Sequence, residues 1–258
     1  MQPALSGPAG QPAALRIVLT YRCNRRCTFC YQSRWEGRQL GARELEAALA
    51  RLPADFRPAF ATFMGGEPTL APDLERALTL VRRSFPAAET SLTTNGSGSL
   101  ALYRRLAALG LANLTFSLPA LDPEVYRALT AEAPAALARY LDKIRALGRV
   151  PGLAVRINAY VVPGQEDAVY RFCKQEGLRL TFCEELRSRT PDERLALVPP
   201  AGTRVRAENA LRRVHVDADG FELWSYKQVE RFDYNNWIVL PDGSLSRDFA
   251  DILAERGA

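Results

Sequence analysis

No stretch of this sequence approaches the roughly 20 consecutive apolar residues that a membrane-crossing helix needs. The opening "MQPALSGPAGQPAAL" also lacks the charged-then-apolar order of a secretory signal, so a soluble, cytoplasmic protein without membrane contact is expected. Blocks of Lys and Arg are missing too. The formal net charge is +5, but the arginines are scattered along amphipathic segments and no nucleic-acid motif accompanies them. That argues against a nucleic-acid partner and leaves an anionic substrate at most. Cysteine is scarce and odd in number: there are five, three of them within residues 23–30, a poor arrangement for a disulfide framework. Histidine occurs once, at His215.

What is present suits one large domain with its own core: 258 residues, 47% hydrophobic and 24% charged. A Pro-, Gly- and Ala-rich leader, residues 1–14, precedes the first β-rich run. Strands are predicted at "LRIVLT" (15–20), "AFATFM" (59–64), "TSLTT" (90–94), "LTFSL" (114–118), "AVRINAYVV" (154–162) and "LRLTFCEE" (178–185). Between them, stretches such as "RELEAALARL", "LALYRRLAALG" and "LARYLDKIRALG" repeat apolar residues at spacings of three and four, and two close with Gly where a helix C-cap is expected. Strand and helix in alternation predict a parallel sheet with helices outside. The six units, residues 15–187, are fewer than the eight of a closed barrel, so a doubly wound sheet or a partial barrel is expected. Either binds ligands at the C-terminal edge of its strands. From residue 188 to 258 the pattern changes. There "RVHVDADGFELW" and "NWIVLPDGSLSRDF" set turns between strand-like runs, predicting a β-hairpin appendage that covers the barrel mouth.

Chemistry concentrates in "CNRRCTFC", residues 23–30, which falls in the first strand-to-helix loop. Three readings of its thiols compete. A structural zinc site is closed by four ligands, and His215, Cys173 and Cys183 are all distant in sequence. Buried, inert cysteines are common, but Asn24, Arg25 and Arg26 beside Cys23 and Cys27 suggest polar surroundings. An iron-sulfur cubane held by three thiolates leaves one iron for an outside ligand.

This CxxxCxxC stretch, with Phe29 before its last cysteine, resembles the signature of the radical S-adenosylmethionine (SAM) superfamily. The resemblance implies a [4Fe-4S] cluster on Cys23, Cys27 and Cys30. It implies SAM as the ligand of the open iron, and one-electron cleavage of SAM to a 5'-deoxyadenosyl radical that takes hydrogen from a substrate. Later strand ends carry matching elements in order. "MGGEPTL" resembles the GGE motif, in which Gly65 and Gly66 bring the backbone close to the ligand and Glu67 receives the SAM ammonium. "TTNG" resembles a polar turn contacting SAM, through Thr93 and Asn95, and Ser117 matches a serine that also contacts SAM, although Pro119 replaces the aspartate of relatives reading "SLD".

Over residues 15–186 the chain is most similar to the GTP 3',8-cyclase-like (SPASM/twitch) branch, which implies a partial (β/α)6 TIM-like barrel. By the same resemblance Leu186 packs on the adenine, and Arg16 and Arg156 bind an anionic part of the substrate, an ion-pair role for each being equally open. Three departures point away from GTP cyclisation. Thr62 stands where that branch has a second substrate arginine, no residue after Cys183 is a cysteine that could hold an auxiliary cluster, and the chain ends "DILAERGA" without a glycine-rich tail. Tyr21, Trp224, Tyr226, Tyr234, Asn235, Asn236 and Trp237 are candidates to wall the pocket or simply to form the hairpin core. Cys183 is a candidate hydrogen donor to a substrate radical and His215 a candidate base. The expected partners are a small metabolite or natural-product intermediate, alternatively a ribosomally made peptide, and an electron donor such as flavodoxin or ferredoxin. A non-catalytic iron-sulfur protein on a degenerate barrel is the remaining alternative.

Overall fold

The computed structural model describes residues 13–30, 37–183, 197–208, 212–226 and 236–247. Six strands run in chain order side by side and all parallel: β1 (Ala14–Thr20), β2 (Phe60–Gly65), β3 (Glu89–Thr94), β4 (Asn113–Ser117), β5 (Ala154–Tyr160) and β6 (Arg179–Cys183). Helices α1 (Ala42–Ala50), α2 (Leu74–Ser84), α3 (Leu100–Ala108), α4 (Pro123–Thr130), α5 (Pro134–Gly148) and α6 (Glu166–Gln175) make the crossovers, with α4 and α5 sharing one connection. Of the two forms that the alternation left open, the partial (β/α)6 barrel implied by the resemblance is the one that forms.

The strands differ from those of a sheet buried on both faces, which read as near-continuous apolar runs. Here apolar residues mostly alternate with polar ones, the exceptions being Val18 and Met64, which form a small second buried cluster with Ile238 on the other face. Leu15, Ile17, Phe63, Leu92, Phe116, Ile157, Leu180 and Phe182 are almost fully buried and join Leu45, Leu78, Leu106, Ile144 and Val169 of the helices in one core. The opposite face carries Arg16, Thr62, Ser91, Thr93, Thr115, Ser117, Arg156, Asn158, Tyr160, Thr181 and Cys183. A parallel sheet can afford such a polar face only where that face lines a solvent-filled or ligand-filled concavity.

Both hairpins expected near the C-terminus form, and they join the barrel sheet itself at its two ends. Strand β9 (Glu222–Tyr226) pairs parallel with β6, followed outward by β8 (Arg212–Val216) and β7 (Arg204–Glu208) in antiparallel order. Strand β10 (Asn236–Val239) pairs parallel with β1 and carries the short β11 (Leu245–Ser246). Among the described residues the sheet therefore has eleven strands and stays open, in the order β11-β10-β1-β2-β3-β4-β5-β6-β9-β8-β7. The physical reason is the edge problem: an open six-stranded sheet leaves unpaired N–H and C=O groups along β1 and β6, which these strands satisfy. The glycine C-caps are met once. Gly110 adopts a left-handed φ of 92° just beyond α3, whereas Gly148 is the last residue of α5 itself.

Candidate active site

Leaving β1, the chain turns sharply because Thr20 Oγ1 accepts the N–H of Arg22 at 3.0 Å. The first described part of the loop that follows, residues 21–30, is tied down by backbone bonds. The Arg25 N–H points to Cys23 Sγ at 3.4 Å, Cys30 N–H donates to Cys27 O at 3.1 Å, and Thr28 N–H reaches Leu129 O in α4 at 2.9 Å. Cys23, Cys27 and Cys30 are free and half-buried. Burial pushes the Cys27 thiol up to about 12, against the pull of Arg25 and with a further push from Cys30 and Cys23; burial raises Cys23 as well. The thiols thus lie close enough to feel one another's charge. Yet among the described residues no three His, Cys, Asp or Glu side chains converge on a point that would hold one metal ion. A cubane would take the three thiolates one to each of three irons, so it does not need them to converge on a single point. One expectation is corrected here: the loop is not uniformly polar in its surroundings, since Arg25 is 7% exposed.

The end of β2 lies against this loop. Gly66 N–H donates to Thr20 O at 2.7 Å and Glu67 N–H to Arg22 O at 2.8 Å. A Cβ on Gly65 would stand 2.3 Å from Thr20 O, and one on Gly66 2.2 Å from Arg22 O, so only glycine fits. The two glycines thus allow close approach to the cysteine loop's own backbone. Glu67 is fully buried. Its Oε1 accepts from Thr69 N–H (3.1 Å), Thr69 Oγ1 (2.6 Å) and Thr94 Oγ1 (2.7 Å), and its Oε2 from Asn95 N–H (2.7 Å). Burial raises its pKa while these donors oppose the rise. Oε2 therefore keeps one lone pair uncommitted.

At the end of β3 it is Thr94, rather than Thr93, that bonds Glu67, because strand alternation turns Thr93 to the polar face. Asn95 Nδ2 donates to Asn24 Oδ1 at 2.9 Å and points to Cys23 Sγ at 3.6 Å, so this turn touches the cysteine loop directly. Residues missed from sequence hold the turn in place. Lys143 Nζ on α5 donates to Gly96 O (2.6 Å) and Gly98 O (2.7 Å), and Tyr103 Oη is 3.0 Å from Thr94 Oγ1. A Lys on an amphipathic helix gave no sequence signal of that task.

Ser117, half-buried, ends β4, and its carbonyl accepts from Tyr140 Oη at 2.9 Å. Phe29 stacks on Tyr160 with ring centres 4.2 Å apart, and Tyr160 is in register with Cys183. The half-buried Cys183 is desolvated enough that its thiol is pushed up to about 12. Arg156 pairs with Glu89 at 3.5 Å on the polar face, and Arg16 stands in register with Thr62 on that face. Both arginines lie below the row of cysteine, glycine and serine ends. His215 belongs elsewhere: it is buried between β8 and β9 with Nε2 3.2 Å from Ser225 Oγ, and burial lowers its pKa. Cys173 is fully buried in α6. Trp224 is in register with Thr181, and Trp237 is crossed by the Arg247 guanidinium at 5.5 Å. Leu186, Tyr234 and Asn235 lie outside the described residues.

An α/β partial barrel with three thiols, a buried carboxylate and a polar turn gathered at one strand edge is the architecture of a protein built around an open iron-sulfur cluster. The family comparison agrees: residues 17–175 match the model of the radical SAM superfamily. This chain belongs to the radical SAM superfamily, and its cofactors are that family's [4Fe-4S] cluster and SAM. It is 36% identical over 186 residues to GTP 3',8-cyclase 2 of Mycobacterium bovis, covering 67% of this chain and 50% of that protein. It is 35% identical over 184 residues to the GTP 3',8-cyclase of Mycobacterium marinum, with the same coverages, 67% and 50%. The chain thus spans about half the length of the curated relatives it matches. Among solved structures, Streptococcus suis SuiB bound to its precursor peptide SuiA superposes with a TM-score of 0.58 at 23% identity, over 67% of this chain and 39% of that one. The protein anSMEcpe with bound AdoMet gives 0.53 at 21% identity, over 66% and 51%.

Proposed function

We propose that this chain is a radical SAM enzyme that abstracts hydrogen from a small anionic metabolite or natural-product intermediate. The observation that carries this reading is the meeting of the cysteine loop, Glu67 and Asn95 at the strand edge, directly above a polar sheet face with two arginines. When bound, the cluster and SAM supply a 5'-deoxyadenosyl radical on addition of one electron from a donor such as flavodoxin or ferredoxin.

The chain's own residues then have definable tasks. Cys23, Cys27 and Cys30 hold the cluster, with Phe29 fixing the loop against Tyr160. The spare lone pair of Glu67 Oε2 receives an ammonium, and Gly65 and Gly66 set the distance between that carboxylate and the cysteines. Asn95, Thr93 and Ser117 offer hydrogen bonds from neighbouring strand ends, and Leu186 is assigned to the adenine by resemblance alone. Arg16 and Arg156 bind the anionic group, Arg156 exchanging part of its pairing with Glu89. Cys183 donates a hydrogen atom to the substrate radical. A donor of that kind must be protonated, and a thiol held near 12 is. The thiyl radical left behind returns to thiol with one electron from the same donor protein and one proton from water.

The matched relatives include enzymes named for GTP, but Thr62, where that branch has a second substrate arginine, weighs against GTP as the substrate here. A peptide substrate is the second reading, favoured by the resemblance in fold to SuiB with its precursor peptide. The deciding experiment is anaerobic reconstitution with iron and sulfide, followed by reduction in the presence of SAM. 5'-Deoxyadenosine is expected from the wild type and none from Cys27→Ala. Absence of that product from a fully loaded wild type would return the chain to the non-catalytic reading. With a substrate in hand, Arg16→Leu should raise KM and Cys183→Ser should lower kcat, and unchanged kinetics in either would remove that residue from the scheme.

A further inference from the structure

The cysteine loop contains three arginines with different fates. Arg22 and Arg26 are exposed, while Arg25, between Cys23 and Cys27, is 7% exposed. Its guanidinium turns inward toward α4 and α5: Nε donates to Glu132 Oε1 at 3.1 Å, and Cζ stands 5.4 Å from the ring centre of Tyr140 and 5.8 Å from that of Tyr126. The bond from Thr28 N–H to Leu129 O fastens the loop to the same α4 surface. Burying a cation is costly unless opposite charge compensates it. Glu132 is the carboxylate that touches it, and that side chain is 31% exposed, so its attraction is partly screened. The two ring faces contribute modestly. A cluster on three thiolates is anionic and gains a further negative charge when reduced, and Arg25 sits on the backbone directly between two of those ligands, its N–H at 3.4 Å from Cys23 Sγ.

We propose that Arg25 is a positioning residue for the cluster, anchoring the cysteine loop on the α4–α5 pair and holding a fixed positive charge that favours the reduced cluster and raises its reduction potential. The inference rests on the cluster reading of Cys23, Cys27 and Cys30. It assigns Glu132 the opposite electrostatic effect, because that carboxylate partly cancels Arg25.

The test is a redox titration followed by electron paramagnetic resonance on the anaerobically reconstituted full chain, with iron per chain measured alongside. Arg25→Met should lower the potential so that the ratio of reduced to oxidised cluster at a fixed potential falls about tenfold, ~59 mV for one electron. Arg25→Lys, which keeps the charge, should stay near the wild type, and Glu132→Gln should move the potential upward. A purely structural clamp would not produce shifts of opposite sign. If Arg25→Met holds no cluster, the anchoring half of the role is supported and Glu132→Gln decides the electrostatic half. Unmoved potentials, or shifts of the same sign in Arg25→Met and Glu132→Gln, would overturn the assignment while leaving the cluster reading intact. A wild-type chain that assembles no cluster would overturn both.

Discussion

Glu67 shows how much of the site depends on single atoms. Its carboxylate is buried and collects four donors, three on Oε1 and one on Oε2, from the short turn after β2 and from the end of β3. Glu67→Gln replaces one acceptor oxygen by an NH2 group, so in either orientation of the amide at least one donor loses its acceptor. A buried group left unsatisfied costs about 1–3 kcal/mol. The midpoint of thermal unfolding should fall accordingly in the apoprotein, where no cofactor contributes, and SAM binding by the loaded protein should weaken as well. An unchanged midpoint would mean that the donors find other partners and that the network is not structural. The motif itself was legible in "GGEP", but half of its meaning was not. Sequence gives the glycines and the carboxylate; it does not say that the glycines are demanded by backbone oxygens of Thr20 and Arg22, because that contact joins segments more than forty positions apart.

At the scale of elements, the hairpin of β8 and β9 is docked on α6 through Asp217 in its turn. Asp217 accepts from Lys174 Nζ at 2.6 Å, from Tyr170 Oη at 2.5 Å and from the N–H groups of Asp219 and Phe221 at 2.9 Å. Lys174 first, and Tyr170 next, hold its carboxyl well below the usual carboxylate range. A group with a depressed folded-state pKa contributes stability that is complete above its unfolded pKa and is lost as pH falls toward the folded one. The wild type should therefore lose stability on acidification below the ordinary carboxylate range, and Asp217→Asn should be less stable at neutral pH with a shallower decline on the acid side. Parallel curves for the two proteins in denaturant titrations across that pH range would exclude the linkage. The turn "DADG" was readable, as were all six barrel strands to within two residues at every described end, since alternation and flanking helices are local signals. Which strand each hairpin would join was not readable. Pairing of β9 with β6, and of β10 with β1, is chosen by contacts remote in sequence, and β10 returns to the opposite end of the sheet from β9.

That return links the scale of the element to the whole molecule. The six-stranded barrel core ends on β1 and β6, and each of those strands has its outer neighbour supplied by the C-terminal segment. Leu223 on β9, and Ile238 and Val239 on β10, are buried almost completely, so these strands contribute apolar contact as well as hydrogen bonds. Burying a side chain of that size is worth about 1.5–3 kcal/mol, and three of them together rival the net stability of an ordinary domain. The inner face makes the dependence stronger, because its one apolar cluster, Val18 and Met64 with Ile238, includes a residue that β10 itself supplies. A chain ending at residue 203 should therefore expose two long parallel edges, and such edges pair with other copies. The expected outcome is a species that elutes as oligomer or aggregate in size-exclusion chromatography and unfolds at lower denaturant, with the cysteine loop still present in the sequence but holding less iron. A truncated chain that stays monomeric and takes up a full complement of iron would show instead that residues 14–183 form a self-sufficient unit, with β7 to β11 serving only the region around it.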